Sequence, residues 1–281
     1  MEINTLFELN PVIPVKFDLK VLSLGAGVQS SVMLLMADKG LLGDKPDVAI
    51  FADTQWESKE VYEHLNWLKQ QVSIPVYIVS KGSLPQDLLN DKKEGKYSQA
   101  TMPLHYKYEN GKKGLVMRTC TTHYKIKPII KKIKELLNIK PKQRCKGKIN
   151  VQMWIGISTD EIQRVRDGFE PWIHNYYPLI DNNMSRQDCL KWFNENYPNK
   201  TLTKSACIGC PFRPIDDWLE MKKNNPEEFE EACKFEDEIR KVWTNEVFLT
   251  SKCTSLRELE PSSQAVIDFS MLDECQGMCG L

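Results

Sequence analysis

Between Lys20 and Val79 the chain alternates short apolar runs with stretches of helical period, and that alternation restricts the fold more than any other feature. Lys20 to Leu24 (KVLSL), Asp47 to Ala52 (DVAIFA) and Val76 to Val79 have the length and content of buried strands. Ser30 to Lys39 and Ser58 to Gln71 repeat apolar residues at helical spacing, and Gly40 stands where the first of them needs a C-cap. The order β-α-β-α-β predicts an α/β fold: a parallel, twisted, Rossmann-like sheet with helices on both faces. Ligands of such sheets bind at the carboxyl ends of the strands.

The pattern weakens downstream. Residues 81–118 show no sustained period and read as a long irregular segment able to fold over a ligand. Ile126 to Leu137 reads as a helix with Pro128 in its first turn, Val151 to Ile157 as a fourth strand, Arg186 to Asn196 as a helix, and 215–241 as strongly charged helix. Residues 247–281 read as an extended tail ending in cysteines. The expected division is an α/β nucleotide-binding domain over 1–200 and an irregular, Cys-containing helical extension over 201–281.

A chain of 281 residues with 41% hydrophobic and 27% charged residues is neither disordered nor collagen-like, and it is too long for a disulfide-stapled miniprotein. Its longest apolar stretches, such as Ser31 to Ala37, fall short of the roughly 20 residues that span a bilayer. The opening MEINTLFELNPVIPVKF has no basic flank, apolar run or cleavage site. No membrane partner and a cytoplasmic location are expected. Lys plus Arg (38) balance Asp plus Glu (38), yet charge is segregated. Lys107 to Lys148 holds fourteen basic residues against two acidic ones, and Ile215 to Leu281 seven against sixteen. The basic stretch is either a solvated helical surface or the footprint of a phosphate-rich partner such as nucleic acid.

Three groups of residues have chemistry to offer. S-L-G-A-G-V-Q-S-S, Ser23 to Ser31, joins a strand to a helix. Gly25, Ala26 and Gly27 let the backbone approach an anion, the helix start offers free N–H groups, and Ser23, Gln29, Ser30 and Ser31 add side-chain donors. The segment lacks the ending of a Walker loop and does not fit G-x-G-x-x-G, so it reads as a phosphate or sulfate cradle, with a plain glycine turn as the alternative. Asp53 closes F-A-D-T at a strand end, suited to a ribose, a base or Mg2+, or to capping the next helix. Of nine cysteines, Cys207-x-x-Cys210 has the bite of a zinc or iron–sulfur site, but one such pair is too few ligands. Cys145, Cys189, Cys233 and Cys253 have no partner spacing. His105, His123 and His174 read as structural or exposed, and Trp154, Trp172, Trp192 and Trp218 as core.

The loop resembles the S-G-G-K-D-S phosphate loop of the PP-loop superfamily, and D-T-Q-W-E-S-K-E-V-Y-E resembles the D-T-G-x-x-F-P-E-T-Y-E segment of phosphoadenylylsulfate (PAPS) reductases. In collinear order follow C-T-T-H-Y-K-I-K-P-I from Cys120, similar to C-C-x-x-x-K-x-x-P-L; G-I-S-T-D-E-I-Q-R from Gly156, similar to G-x-R-x-x-E-S-x-x-R; and Y-P-L-I from Tyr177, similar to P-L-x-x-W-T. S-A-C-I-G-C-P from Ser205 resembles S-I-G-C-x-P-C, and the terminal E-C-Q-G-M-C-G-L resembles the tail E-C-G-L-H. Gly25, Ala26 and Gln29 stand where the superfamily has Ser, Gly and Asp, and loss of that Asp argues against strict ATP-pyrophosphatase chemistry.

The resemblance implies an adenine nucleotide alpha hydrolase-like fold with an adenine nucleotide (PAPS, APS or ATP) over Ser23–Ser31. Lys125 and Arg118 beside Cys120, and Arg164 after the fourth strand, are either plain surface charges or cations that neutralise a phosphosulfate. The family's iron–sulfur members add the expectation that Cys120, Cys207, Cys210 and one tail cysteine, Cys275 or Cys279, hold a [4Fe–4S] cluster. The nucleophile the resemblance implies is Cys279, with Cys275 close behind and Lys125 assisting, in an oxidoreductase regenerated by a thioredoxin-like thiol. The alternatives are an ATP-dependent PP-loop sulfurtransferase acting on tRNA or DNA through the basic 107–148 segment, and a non-catalytic nucleotide- or zinc-binding module.

Overall fold

The computed structural model describes residues 16–95, 101–108 and 110–260. The first half forms β1 (Leu19–Leu24), α1 (Val28–Asp38), β2 (Val48–Asp53), α2 (Lys59–Gln71) and β3 (Val76–Ser80). Next come α3 (Leu84–Lys93), the short strands β4 (His105–Lys107) and β5 (Lys113–Leu115), a π-helical turn over Thr121–Ile126, and α4 (Lys127–Leu136). β6 (Val151–Trp154), a 3₁₀ turn over Thr159–Arg164, β7 (Ile173–Tyr176), α5 (Pro178–Asp181) and α6 (Arg186–Asn196) complete the sheet region. The last described segment holds α7 (Ile215–Asn224), α8 (Pro226–Val242) and β8 (Val247–Phe248).

Five strands pair in parallel in the order β3-β2-β1-β6-β7. Connections run outward from β1 in both directions, so the order reverses between β1 and β6. That is the switch point where the strand ends splay and leave a crevice. The strands bury alternate residues on opposite faces. Leu22, Leu24, Ala49 and Phe51 pack with Val32 and Leu35 of α1, Leu65 of α2 and Phe193 of α6. Val21, Val48, Ile50 and Ala52 pack with Ile129, Ile130 and Ile133 of α4 on the other side.

A third apolar cluster lies beyond the sheet. Leu84 and Leu88 of α3, Tyr124 of the π turn, Ile208, Trp218 of α7 and Phe229, Phe235 and Ile239 of α8 share it. The cluster draws on residues before and after position 200. It also explains why the irregular reading of 81–118 has to be corrected. Ser83, Pro85 and the Leu84, Leu88, Leu89 spacing make a ten-residue helix there. A helix so short is marginal alone and owes its order to α8. β4 then pairs antiparallel with β5 and with β8, so the expected extended tail begins as the third strand of a small sheet.

Two other departures are local. The helix expected from Ile126 is entered through the π turn that carries Cys120 and Lys125 at its ends. β7, not anticipated, has one buried residue followed by exposed or half-buried ones, a pattern without a strand's alternation. Trp154, Trp172 and Trp218 are core as expected, and Trp192 is partly buried against the α1 face.

Candidate functional site

The β1–α1 loop is tightly self-bonded. The Gly25 N–H donates to Ser30 Oγ at 3.2 Å, and the Ser31 N–H donates to the Gly27 carbonyl, closing the first turn of α1. Ala26 holds a left-handed φ of 57°, at the position where the resembling loop has glycine; a side chain there is strained by roughly 1–3 kcal/mol. Thr203 donates its hydroxyl to the Ala26 carbonyl at 3.2 Å. Every residue from Val21 to Ala37 is buried, so the loop lies within the fold and is held there in part by Thr203. Ser31 Oγ meets His64 Nε2 at 2.9 Å inside the core, and burial holds the His64 imidazole down at about 4.

Gln29 is the hub of a buried polar network. Its Nε2 donates to Glu161 Oε2 at 3.0 Å and to Ser158 Oγ at 3.4 Å, and its Oε1 accepts from Arg186 at 2.9 Å. Glu161 is also paired with Arg164. An aspartate at position 29 would set a second carboxylate against Glu161; glutamine bridges Glu161 and Arg186 with a donor and an acceptor instead. The expected phosphosulfate ligand Arg164 therefore stands in this network. Glu161 and Arg186, the latter at the start of α6 behind the Ser185 capping box, join it unforeseen. Glu161 was visible inside the G-I-S-T-D-E motif, whereas nothing local marked Arg186.

Asp53 ends β2 as an Asx turn. Its Oδ1 accepts from the Gln55 N–H and from the Tyr62 hydroxyl, both at 2.7 Å. Thr54, next along, opens the third part of the site. Glu57 Oε1 accepts from Thr54 Oγ1 at 3.1 Å, from the Lys125 ammonium at 3.3 Å and from the Cys207 thiol at 3.6 Å. Lys125 and Glu57 are 5% and 3% exposed, so this pair is almost dry. Burial and the Glu57 charge push the Cys207 thiol well above its ordinary value, with Lys125 opposing them.

A backbone bridge between Glu57 and Cys207, with Ile208 N donating to Trp56 O at 2.7 Å, locks the C-x-x-C turn to the end of β2. Gly209 is required there: a Cβ would lie 1.9 Å from the Trp56 ring. His105 Nε2 reaches the Pro211 carbonyl at 3.1 Å, tying the turn to β4, and Arg118 stacks over Phe212. Arg118, Cys120, Lys125, Cys207 and Cys210 thus line one small cavity together with Thr54. Cys145, Cys189, Cys233 and Cys253 are buried elsewhere. Cys275 and Cys279 lie outside the described residues.

A family model for the phosphoadenosine phosphosulfate reductase domain matches residues 20–181. The chain belongs to this family. The PAPS reductase domain so delimited includes the β1–α1 loop, Asp53, Arg118, Cys120, Lys125 and Arg164. Arg186, Thr203, Cys207 and Cys210 come from beyond it and close the site from the far side. Among solved structures, a PAPS reductase from Candida auris in a phosphate complex is 18% identical, covering 64% of this chain and 74% of that one with a TM-score of 0.40. No curated protein matches the chain. No helix among the described residues is long and apolar enough to cross a membrane.

The iron–sulfur cluster expected from the resemblance would draw on Cys120, Cys207 and Cys210, which line one cavity, and on Cys275, which lies outside the described residues. Among the described residues no three His, Cys, Asp or Glu side chains are placed to hold a metal. The cavity that these thiols help to line is small, about 30 Å³. Asp53, expected to suit Mg2+, has its Oδ1 engaged by Gln55 and Tyr62.

Proposed function

We propose that the chain is an oxidoreductase that binds an adenine sulfonucleotide, PAPS or APS, and passes its sulfonyl sulfur to a cysteine thiolate. The observation that carries this reading is the convergence of Arg118, Cys120, Lys125, Cys207 and Cys210 on one cavity beside the carboxyl end of β2. Two cations and three thiols from two separate segments suit a sulfonate better than they suit a neutral ligand. The phosphate end of the nucleotide is assigned to Ser23–Ser31 and the start of α1 with Arg164 flanking it, and the ribose or base to Asp53.

In this reading a thiolate attacks the sulfonyl sulfur and the S–O bond to the phosphate breaks. The nucleotide leaves with the electron pair, Arg118 and Lys125 stabilise the charge it gains, and a cysteine S-sulfonate remains. A thioredoxin-like dithiol then releases sulfite and is itself oxidised to the disulfide. Cys207 rests as a thiol hydrogen-bonded to Glu57, so the nucleophile is assigned to Cys279, with Cys275 second. Neither the [4Fe–4S] cluster nor Mg2+ enters a step. A cytoplasmic setting would keep the thiols reduced.

Sulfite release from PAPS or APS in the presence of a reduced dithiol is the test. Cys279→Ser should abolish it, and Lys125→Gln should lower kcat; unimpaired turnover by the first variant would remove the assignment. The basic Lys107–Lys148 segment favours a second reading, ATP-dependent sulfur transfer to tRNA or DNA. Pyrophosphate release that requires added nucleic acid would select it.

A further inference from the structure

Between Lys127 and Lys148 the chain carries nine basic residues against one acid, Glu135. The apolar side of this segment is spent on the sheet: Ile129, Ile130 and Ile133 of α4, and Cys145 of the loop that follows, all sit in one core cluster. The charges are therefore left on the outside, and seven of the nine side chains are exposed.

Several cations elsewhere are neutralised by carboxylates. Lys45 pairs with Asp38 at 2.7 Å, Lys93 with Glu238 at 2.9 Å, and Arg257 with both Glu230 and Asp237. Here, among the described residues, only Lys132 has an ion-pair partner, Glu135 at 3.5 Å. Like charges held this close repel one another, and the repulsion is relieved when a polyanion displaces the small ions around them.

The face leads toward the site. At the carboxyl end of β3, Lys81, His123, Lys127 and Lys131 line a surface cavity of about 550 Å³. Because β1, β2 and β3 run in parallel, that is the edge of the sheet where the phosphate loop and the cysteine cavity also stand. Burial and the charges of Lys127 and Lys81 hold His123 below its ordinary value, as a cationic surface should. The segment from 127 to 148 has no aromatic residue, so it offers no platform for stacking unpaired bases and engages a backbone alone.

We propose that α4 and the 138–148 loop form a docking face for the phosphodiester backbone of a nucleic-acid duplex, with Lys81, Lys127 and Lys131 extending it to the active edge of the sheet. This surface lies outside the cysteine cavity and does not depend on the sulfonucleotide reading. The full chain is titrated into labelled 20-bp duplex DNA, duplex RNA and single-stranded DNA, followed by fluorescence anisotropy from 50 to 200 mM KCl. Duplex binding is expected, with log K falling against log salt at a slope of about −5 to −6 for six neutralised phosphates.

The Lys127→Gln/Lys131→Gln/Lys142→Gln/Lys146→Gln variant should lose about 3 to 4 of that slope. A second variant, Arg144→Gln/Lys148→Gln, should lose about 2. Lys69→Gln/Lys223→Gln, on the exposed faces of α2 and α7, should match the unsubstituted protein. Absence of duplex binding at 50 mM salt, unchanged binding by both face variants, or tighter binding to single strands or to phosphatidylserine vesicles would each overturn the proposal. Loss of sulfite release has no bearing on it.

Discussion

Lys125 and Glu57 carry opposite charges where water scarcely reaches, so each depends on the other. Removing one member of such a pair costs about 3–5 kcal/mol, because the survivor is left buried and uncompensated. Lys125→Met should therefore lower the denaturant midpoint sharply. Adding Glu57→Gln should recover part of the loss, since a neutral amide tolerates the site. Gly209 is held by space alone. Gly209→Ala should destabilise by about 1–3 kcal/mol as Trp56 is driven from its place, and the emission of that tryptophan should shift with it. The C-x-x-C spacing announced Cys207 and Cys210 as a pair, and the family-like motif flagged Cys120 and Lys125. Glu57 sat unmarked in D-T-Q-W-E, because an isolated glutamate in a turn looks like any solvated acid until the partner that buries it is known.

At the scale of elements, α8 does more than cover the small apolar cluster. Glu236, wholly buried on its inner face, accepts from the backbone N–H groups of Leu249 and Leu256 and from the Ser255 hydroxyl. One carboxylate thereby stands in for the missing hydrogen bonds of an irregular loop. Glu236→Ala should cost about 2–4 kcal/mol, with amide exchange in 247–256 rising more than in β1 or β2. The sheet strands and α1, α2 and α6 were legible because each has its own period or cap, such as the Ser185 box. α3, β4, β5 and β8 were not. They are short and take their order from one another, and a window of sequence carries no record of such contacts.

Across the whole molecule, stability and charge follow from what is buried and what is left outside. His64 titrates at about 4 in the fold against 6.5 unfolded, so the unfolded chain binds its proton first as pH falls. Its contribution is full above pH 6.5 and drains away toward pH 4. Between pH 7 and 5 the loss is about 2 kcal/mol. Glu236, held above the ordinary carboxylate range by burial, acts in the opposite sense, so the comparison is between the native protein and His64→Gln. The native chain should lose more stability on acidification by about that amount, measured by urea titration at each pH. The linear order of residues determined that a parallel sheet would form, that a glycine-containing loop would follow its first strand, and that basic and acidic segments would be separate, since all three depend on local period, small side chains and charge. Only the tertiary structure decided that Thr203 closes that loop, that Gln29 bridges Glu161 and Arg186, and that cysteines some ninety positions apart share a cavity with Lys125. Each of those contacts joins segments remote along the chain, and its energy exists only once the sheet and the two helical layers have fixed the distance between them.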